Sequence, residues 1–266
     1  MKPTRFETED LSGERFEVEP DQHVWFEQIA VRGVDFSGLR FGTKDADGGI
    51  HAHSCLFEDC DFSETAFLVA NLGWVGRTVY RRCTFDGADL HQVLATNSPR
   101  MMALTLGEAR FEDCTFLDAK IRGWLAHEAE FVGCRFRGAI DRCRFFGRAP
   151  DRRWFRIKRN EYSGNDFREV EFIWSSFQAG IPIDDQLWPS SPEYIRLDRI
   201  TQRIAWAERK ISAWSDDDRR QAENMLARLQ ERDQEEIFQR RIEPDTAPEE
   251  AEVERRVWAL LESGPP

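Results

Sequence analysis

Residues 55–74 read CLFEDCDFSETAFLVANLGW, with Phe57, Phe62, Phe67 and Leu72 spaced five places apart. Cys55, Cys60, Thr65 and Ala70 stand two places ahead of them. A strand alternates with period two and an α-helix with period 3.6, so a period of five belongs to neither. A unit of five with one large and one small apolar place supplies a short extended segment and then a bend. Four such segments close a square coil, and successive coils stack at about the 4.8 Å spacing of paired strands. Large and small side chains then interdigitate inside, as close packing requires. The remaining places are free to be Glu, Asp, Arg or Ser.

The pattern continues on both sides. Residues 4–43 divide as TRFET EDLSG ERFEV EPDQH VWFEQ IAVRG VDFSG LRFGT, and 78–97, 109–143 and 165–179 divide in the same way. Sixteen of the 20 phenylalanines fall on the central place of 26 such pentads, where an even spread would leave about two. The register slips at 44–54, 75–77, 98–108 and 144–164, and these slips predict loops thrown out from the coil. The stretch TKDADGGIHAH has the Gly and Asp content of one. Glu9, Glu14 and Glu19 fall on the small inward place, and Asp21 and Asp141 on the central one. Burying a carboxylate is costly. The first pentads therefore read as a loosened or capping coil, and the stretch near Asp141 as a point where the coil frays.

The segments ANLGW, ADLHQ and CDFSE resemble the A(D/N)LXX signature of pentapeptide-repeat proteins. That resemblance implies a right-handed quadrilateral β-helix and covers about 180 residues. The family spans many unrelated roles, so the resemblance speaks to fold before function. It also implies a specific candidate role, because some members imitate the shape and charge of duplex DNA and protect type II topoisomerases from inhibitors. In several members the C-terminal element forms a dimer contact.

After Pro182 the period of five disappears. The expected organisation is a β-helix with inserted loops over 1–183, followed by a small α-helical C-terminal region over 184–266. Ser190, Pro192 and Glu193 read as a helix start. Leu197, Ile200, Ile204, Ala207, Ile211 and Trp214 then form one apolar stripe. Ser215 before Asp216, Asp217 and Asp218 reads as the cap of a second helix. Its stripe is assigned Ala222, Met225, Leu226, Leu229, Ile237 and Phe238. A linker, EPDTAPEE, precedes a third helix with Val253, Val257, Trp258, Leu260 and Leu261. Two roles stay open for these stripes: covering the end of the coil, or pairing two copies as a homodimer.

The chain has 266 residues, a net charge of −12, 32% charged residues and a mean hydropathy of −0.60. No apolar run approaches the roughly 20 residues of a membrane span. The polar start lacks the apolar core of a secretory signal. A cytoplasmic protein with reduced thiols is expected. The acidity is uneven: residues 1–100 and 184–266 each carry −7, while 101–183 carry +2. Between Arg135 and Arg159 ten basic residues face two acids, Asp141 and Asp151. The core of this island, DRRWFRIKRN, interleaves Arg152, Arg153, Arg156, Lys158 and Arg159 with Trp154. Cations beside a stacking aromatic suit phosphate and base contacts. The competing reading pairs those cations with acidic faces of the same chain.

Five of six cysteines (Cys55, Cys60, Cys83, Cys114, Cys134) occupy the small inward place, and no C-x-x-C pair occurs. They read as core residues and not as zinc ligands. His51, His53 and Cys55 would share one side of a straight strand, but no further ligand group stands near them in sequence. The motifs of P-loops, dinucleotide sites, serine hydrolases and zinc proteases are missing, so no catalytic residue, metal or cofactor is assigned. Three functional readings follow. The first is a non-catalytic scaffold recognising a protein partner, in its sharper form a DNA-imitating protector of a type II topoisomerase. The second is a nucleic-acid-associated protein using the basic island. The third is an enzyme with an unfamiliar site in a loop-lined cleft.

Overall fold

The computed structural model describes residues 4–7, 10–43, 48–73, 76–91, 104–150 and 157–264. The described residues are mostly strand in parallel sheets, with three helices among them. The strands are short and line up in ladders that the chain visits in rotation. His23–Glu27, Ala30–Arg32, the bridge residue Asp35 and Arg40–Phe41 fall in the first, second, third and fourth ladders. Gly49–His53, Leu56–Glu58, Asp61 and Ala66–Phe67 repeat that order. Thr4 therefore pairs with Val24, Val24 with Ile50, and Ile50 with Ala70, all in parallel.

The fifth place of the pentad explains the bend. Gln28, Asp59, Glu64, Arg82, Asp113, Asp118, Trp174 and Ala179 all have φ between 49° and 58°, and Gly33, Gly38, Gly87 and Gly133 share that left-handed region. One left-handed residue per unit turns the chain before the next extended segment. The third place faces inward. Phe36, Phe62, Phe85, Phe116 and Phe136 form one column with ring separations of 4.6–5.0 Å and interplanar angles of 3–7°. A second column runs Phe57, Tyr80, Phe111, Phe131 at 4.9–5.1 Å. Cys55, Cys60, Cys83, Cys114, Cys134 and Cys143 are all buried thiols. The sulfurs of Cys60, Cys83, Cys114 and Cys134 reach backbone oxygens of Val31, Phe57, Tyr80 and Phe111 on neighbouring rungs. They are small core residues.

In the first pentads Glu14 and Glu19 are exposed, in keeping with a loosened coil, Glu9 lies outside the described residues, and Phe16 packs on Phe36 at 5.0 Å. Several other local expectations need correction. The chain does not fray at Asp141. The bulge between Arg135 and Arg137, and the left-handed Gly138, shift the register by one place, so Ile140 is buried and Asp141 reaches Arg122 at 3.0 Å. Part of the expected 144–164 loop is strand: Arg144–Phe146 sets Phe145 on Phe177 at 5.1 Å. Gly49–His53 is likewise strand, with Ile50 and Ala52 buried. That strand ends at His53, where left-handed Ser54 turns Cys55 into the core, so Cys55 does not share a side with His51 and His53.

In the tail, Tyr194–Leu197 is not helical. It pairs antiparallel with Ile237–Arg240, so Ile237 and Phe238 do not belong to the stripe of the second helix, and the first helix starts at Ile200 and not at Ser190, Pro192 and Glu193. Tyr194 and Phe238 stack at 5.1 Å, and Phe238 stacks on Trp188 at 4.3 Å. These side chains belong to the main core, while the rest of the tail forms a second core. Helix α1 (Ile200–Ile211) buries Ile200, Ile204, Ala207 and Ile211. Helix α2 (Asp216–Gln230) is capped by Ser215, whose side chain accepts from the Asp218 N–H at 3.4 Å. Helix α3 (Pro248–Ser263) buries Val253, Val257, Trp258 and Leu261. No described helix is long and apolar enough to cross a membrane.

Candidate interaction surfaces

With the third place committed to the core, the second and fourth places carry the chemistry, and each ladder presents its own pattern. The outside of the second ladder is a run of ion pairs. Arg32 binds Asp10 at 3.2 Å and Glu58 at 3.4 Å; Arg81 binds Glu58 at 3.6 Å and Glu112 at 2.8 Å. Arg110 binds Glu112, Glu130 and Glu161 at 2.6–2.8 Å. Glu130 is buried and takes a further contact from Arg77 at 2.9 Å. Burial opposes ionisation of Glu112, yet Arg110 and Arg81 together hold its carboxyl below the usual range. Opposite charges alternate along this face, so it offers little net field.

The third ladder also carries ion pairs, Arg15 with Asp35 at one end and Arg168 with Asp166 at 2.8 Å at the other, but its middle rungs differ. Asp61 and Asp86 lie half-buried on successive rungs, and exposed Glu64 and Asp113 stand at its two corners. Asp61 accepts from the Ser63 N–H at 2.8 Å and Asp86 from the Leu117 N–H at 2.9 Å. None of the four has an ion pair among the described residues, although neighbouring Asp59 and Asp118 bind Arg82 and Arg137. Hydrogen bonds from Arg137 hold the Asp118 carboxyl below its ordinary range, and Arg137 also feels Asp86 from a greater distance. The result is a set of carboxylates without ion pairs among the described residues, on a backbone fixed by the Phe36–Phe136 column. The sequence contained all four residues, but their gathering depends on rung order.

The basic island divides. Arg152, Arg153, Trp154 and Arg156 lie outside the described residues. Lys158 and Arg159 sit on the strand Ile157–Arg159, antiparallel to Arg148–Pro150. The island's flanks are paired: Arg135 with Glu169 at 2.7 Å, Arg137 with Asp118, Arg142 with Asp141 at 3.2 Å, and Arg148 with Asp233 at 2.7 Å. That is the arrangement expected if the chain's own acids take up its cations.

On the first ladder His51 stacks on Trp25 at 4.1 Å and lies 5.8 Å from His23. Burial, helped by the charge of His23, brings His51 down to about 4, so the ring is neutral near pH 7. The described residues contain no group of three or more His, Cys, Asp or Glu suited to a metal ion.

A cavity of about 420 Å³ opens where the ladders meet the tail, lined by Arg144, Trp174, Gln178, Arg228, Arg232 and Trp258 among others. Glu243 and Glu254 also line it, and burial raises the carboxyl of each.

No family model matches the chain, and no curated protein matches it. Among solved structures it is similar to QnrB1, a plasmid-mediated fluoroquinolone resistance protein. One trypsin-treated variant shows 16% identity and a TM-score of 0.26, over 68% of this chain and 86% of that one. The full-length structure shows 15% identity and a TM-score of 0.23, over 70% and 87%. A likeness of this size assigns no role to the present chain.

Proposed function

We propose that the chain is a non-catalytic scaffold that recognises a basic surface of a protein partner through its third ladder. In this reading residues 1–183 form a right-handed quadrilateral β-helix with inserted loops, and residues 184–266 form a helical cap or dimerisation region. The observation that carries it is the set Asp61, Glu64, Asp86 and Asp113, four carboxylates without an ion pair among the described residues. A surface that is already rigid loses little entropy on association, and concentrated charge steers an oppositely charged partner. The sharper form, imitation of duplex DNA toward a type II topoisomerase, draws on the same carboxylates and on the net charge of −12. The test compares wild type with a variant carrying Asp61→Asn, Glu64→Gln, Asp86→Asn and Asp113→Asn. Binding to a purified type II topoisomerase is measured over a salt series, with duplex DNA as competitor. Salt-sensitive binding that the variant loses and DNA displaces supports the sharper form. Partners captured from cell extract equally by both proteins refute the acidic-face reading.

The nucleic-acid reading rests on Arg152, Arg153, Trp154, Arg156, Lys158 and Arg159. The paired flanks of the island support the competing reading, in which these cations serve the protein itself. DNA or RNA retained at low salt, and released on neutralising Arg152, Arg153 and Arg156, would reverse that preference.

A further inference from the structure

Arg144 is the member of the basic island that breaks the pattern. Its strand, Arg144–Phe146, pairs with Ser176–Gln178 at the end of the ladders. Arg144 makes no ion pair among the described residues and lines the cavity against the tail. Two further guanidinium groups of the same cavity, Arg228 near the end of α2 and Arg232 just beyond it, also lack a carboxylate contact among the described residues. Arg232 is half-buried and donates to the Gln239 Oε1 at 2.6 Å, which holds its fork in place without neutralising it. The other arginines lining the cavity are ion-paired: Arg240 binds Glu171 and Glu193 at 2.9 and 3.0 Å, and Arg241 binds Glu262 at 2.6 Å.

Gathering three like charges around a cavity is unfavourable unless something offsets it. Burial, with the nearby charges of Arg228 and Arg144, brings Arg232 down to about 10, although Glu243 opposes the shift. Glu231, Glu243 and Glu254 also line the cavity; none makes an ion pair with these three guanidinium groups among the described residues, although Glu254 feels the charge of Arg228. Glu243 spends one oxygen on the Trp174 N–H at 2.8 Å and the other on Gln239 at 3.4 Å. Burial disfavours ionisation of both Glu243 and Glu254.

We propose that this cavity binds a small phosphorylated molecule, its phosphate held by Arg144, Arg228 and Arg232. A phosphate presents several charged oxygens to converging guanidinium forks, whereas a carboxylate presents two. The volume of about 420 Å³ exceeds what bare phosphate needs and lies within the range of small-ligand sites. Trp174, 42% exposed at the edge of the cavity, supplies aromatic surface for the remainder of such a ligand.

The test uses the full chain and three probes at constant ionic strength: pyrophosphate, AMP and malonate. Calorimetry and thermal unfolding are read for wild type and for Arg144→Gln, Arg228→Gln and Arg232→Gln. Pyrophosphate and AMP should bind and raise the Tm, and malonate should bind at least tenfold more weakly. Tighter binding of AMP identifies a nucleotide-like source, and tighter binding of pyrophosphate an inorganic one. Each Arg→Gln change should weaken binding about tenfold or more, the range of one charge-assisted contact. Arg144 and Arg228 are exposed, so their variants remain informative if Arg232→Gln fails to fold. No binding by pyrophosphate or AMP at millimolar concentration, equal binding by malonate, or unchanged affinity in the Arg144→Gln/Arg228→Gln protein overturns the proposal.

Discussion

Phe62 and Phe85 stack face to face at 4.9 Å with their planes 7° apart, although a whole circuit of the ladders separates them in sequence. Phe36 and Phe116 extend the stack on either side at 4.6 and 5.0 Å. Replacing Phe85 with Ala removes contacts with both neighbours at once. It should cost about 3–5 kcal/mol in urea unfolding. Phe16→Ala, at the half-buried open end, should cost clearly less, and equal losses would show that the column is not a graded stack.

Gly33 has φ 61°, and a Cβ added there would meet nothing within 4 Å. Only conformational strain is then at stake. Gly33→Ala should destabilise by about 1 kcal/mol, and Gly33→Asn by less, since Asn tolerates this region. A neutral Gly33→Ala in equilibrium unfolding would remove the left-handed corner as a constraint.

The cluster around Arg110 tests a buried charge. Arg110→Leu leaves Glu130, which is 2% exposed, dependent on Arg77 alone and should cost about 3–5 kcal/mol. Adding Glu130→Leu should recover part of that loss. A double-mutant cycle with no coupling would contradict the network.

Glu243 gives a dependence on pH. Burial raises its carboxyl above the usual range in the folded state. Stability is therefore greatest when it is protonated in both states, and declines as pH rises from the unfolded value through the folded one. Glu243→Gln should stabilise the protein by about 1 kcal/mol near pH 8 and make little difference below pH ~3.5. Thermal unfolding of both proteins across that span decides it, and a gap that widens toward acid would have the wrong sign.

All six cysteines are buried, and burial pushes the Cys143 thiol up to about 12. At pH 8 about one such thiol in ten thousand is ionised. A thiol reagent should label the native protein no faster than it unfolds, and rapid labelling of any cysteine would exclude its place in the core.

The sequence by itself determined the repeat, because a five-residue period is local: each inward Phe and each small residue before it is visible one unit at a time. It also carried α2 with its Ser215 cap, α3, and the body of α1, whose periods are equally local, but not the start of α1, since Ser190, Pro192 and Glu193 imitate a helix start and the helix begins at Ile200 after left-handed Arg199. It could not determine that Tyr194–Leu197 and Ile237–Arg240 pair as strands, since that choice depends on Trp188 and Phe238 meeting across the chain. Nor could it show that the acids of the second ladder meet arginines while Asp61, Glu64, Asp86 and Asp113 of the third do not, or bring Arg144 to Arg228 and Arg232. Charge along a chain fixes a total, whereas the field at a surface depends on which rungs and corners become neighbours, and only the tertiary structure decides that.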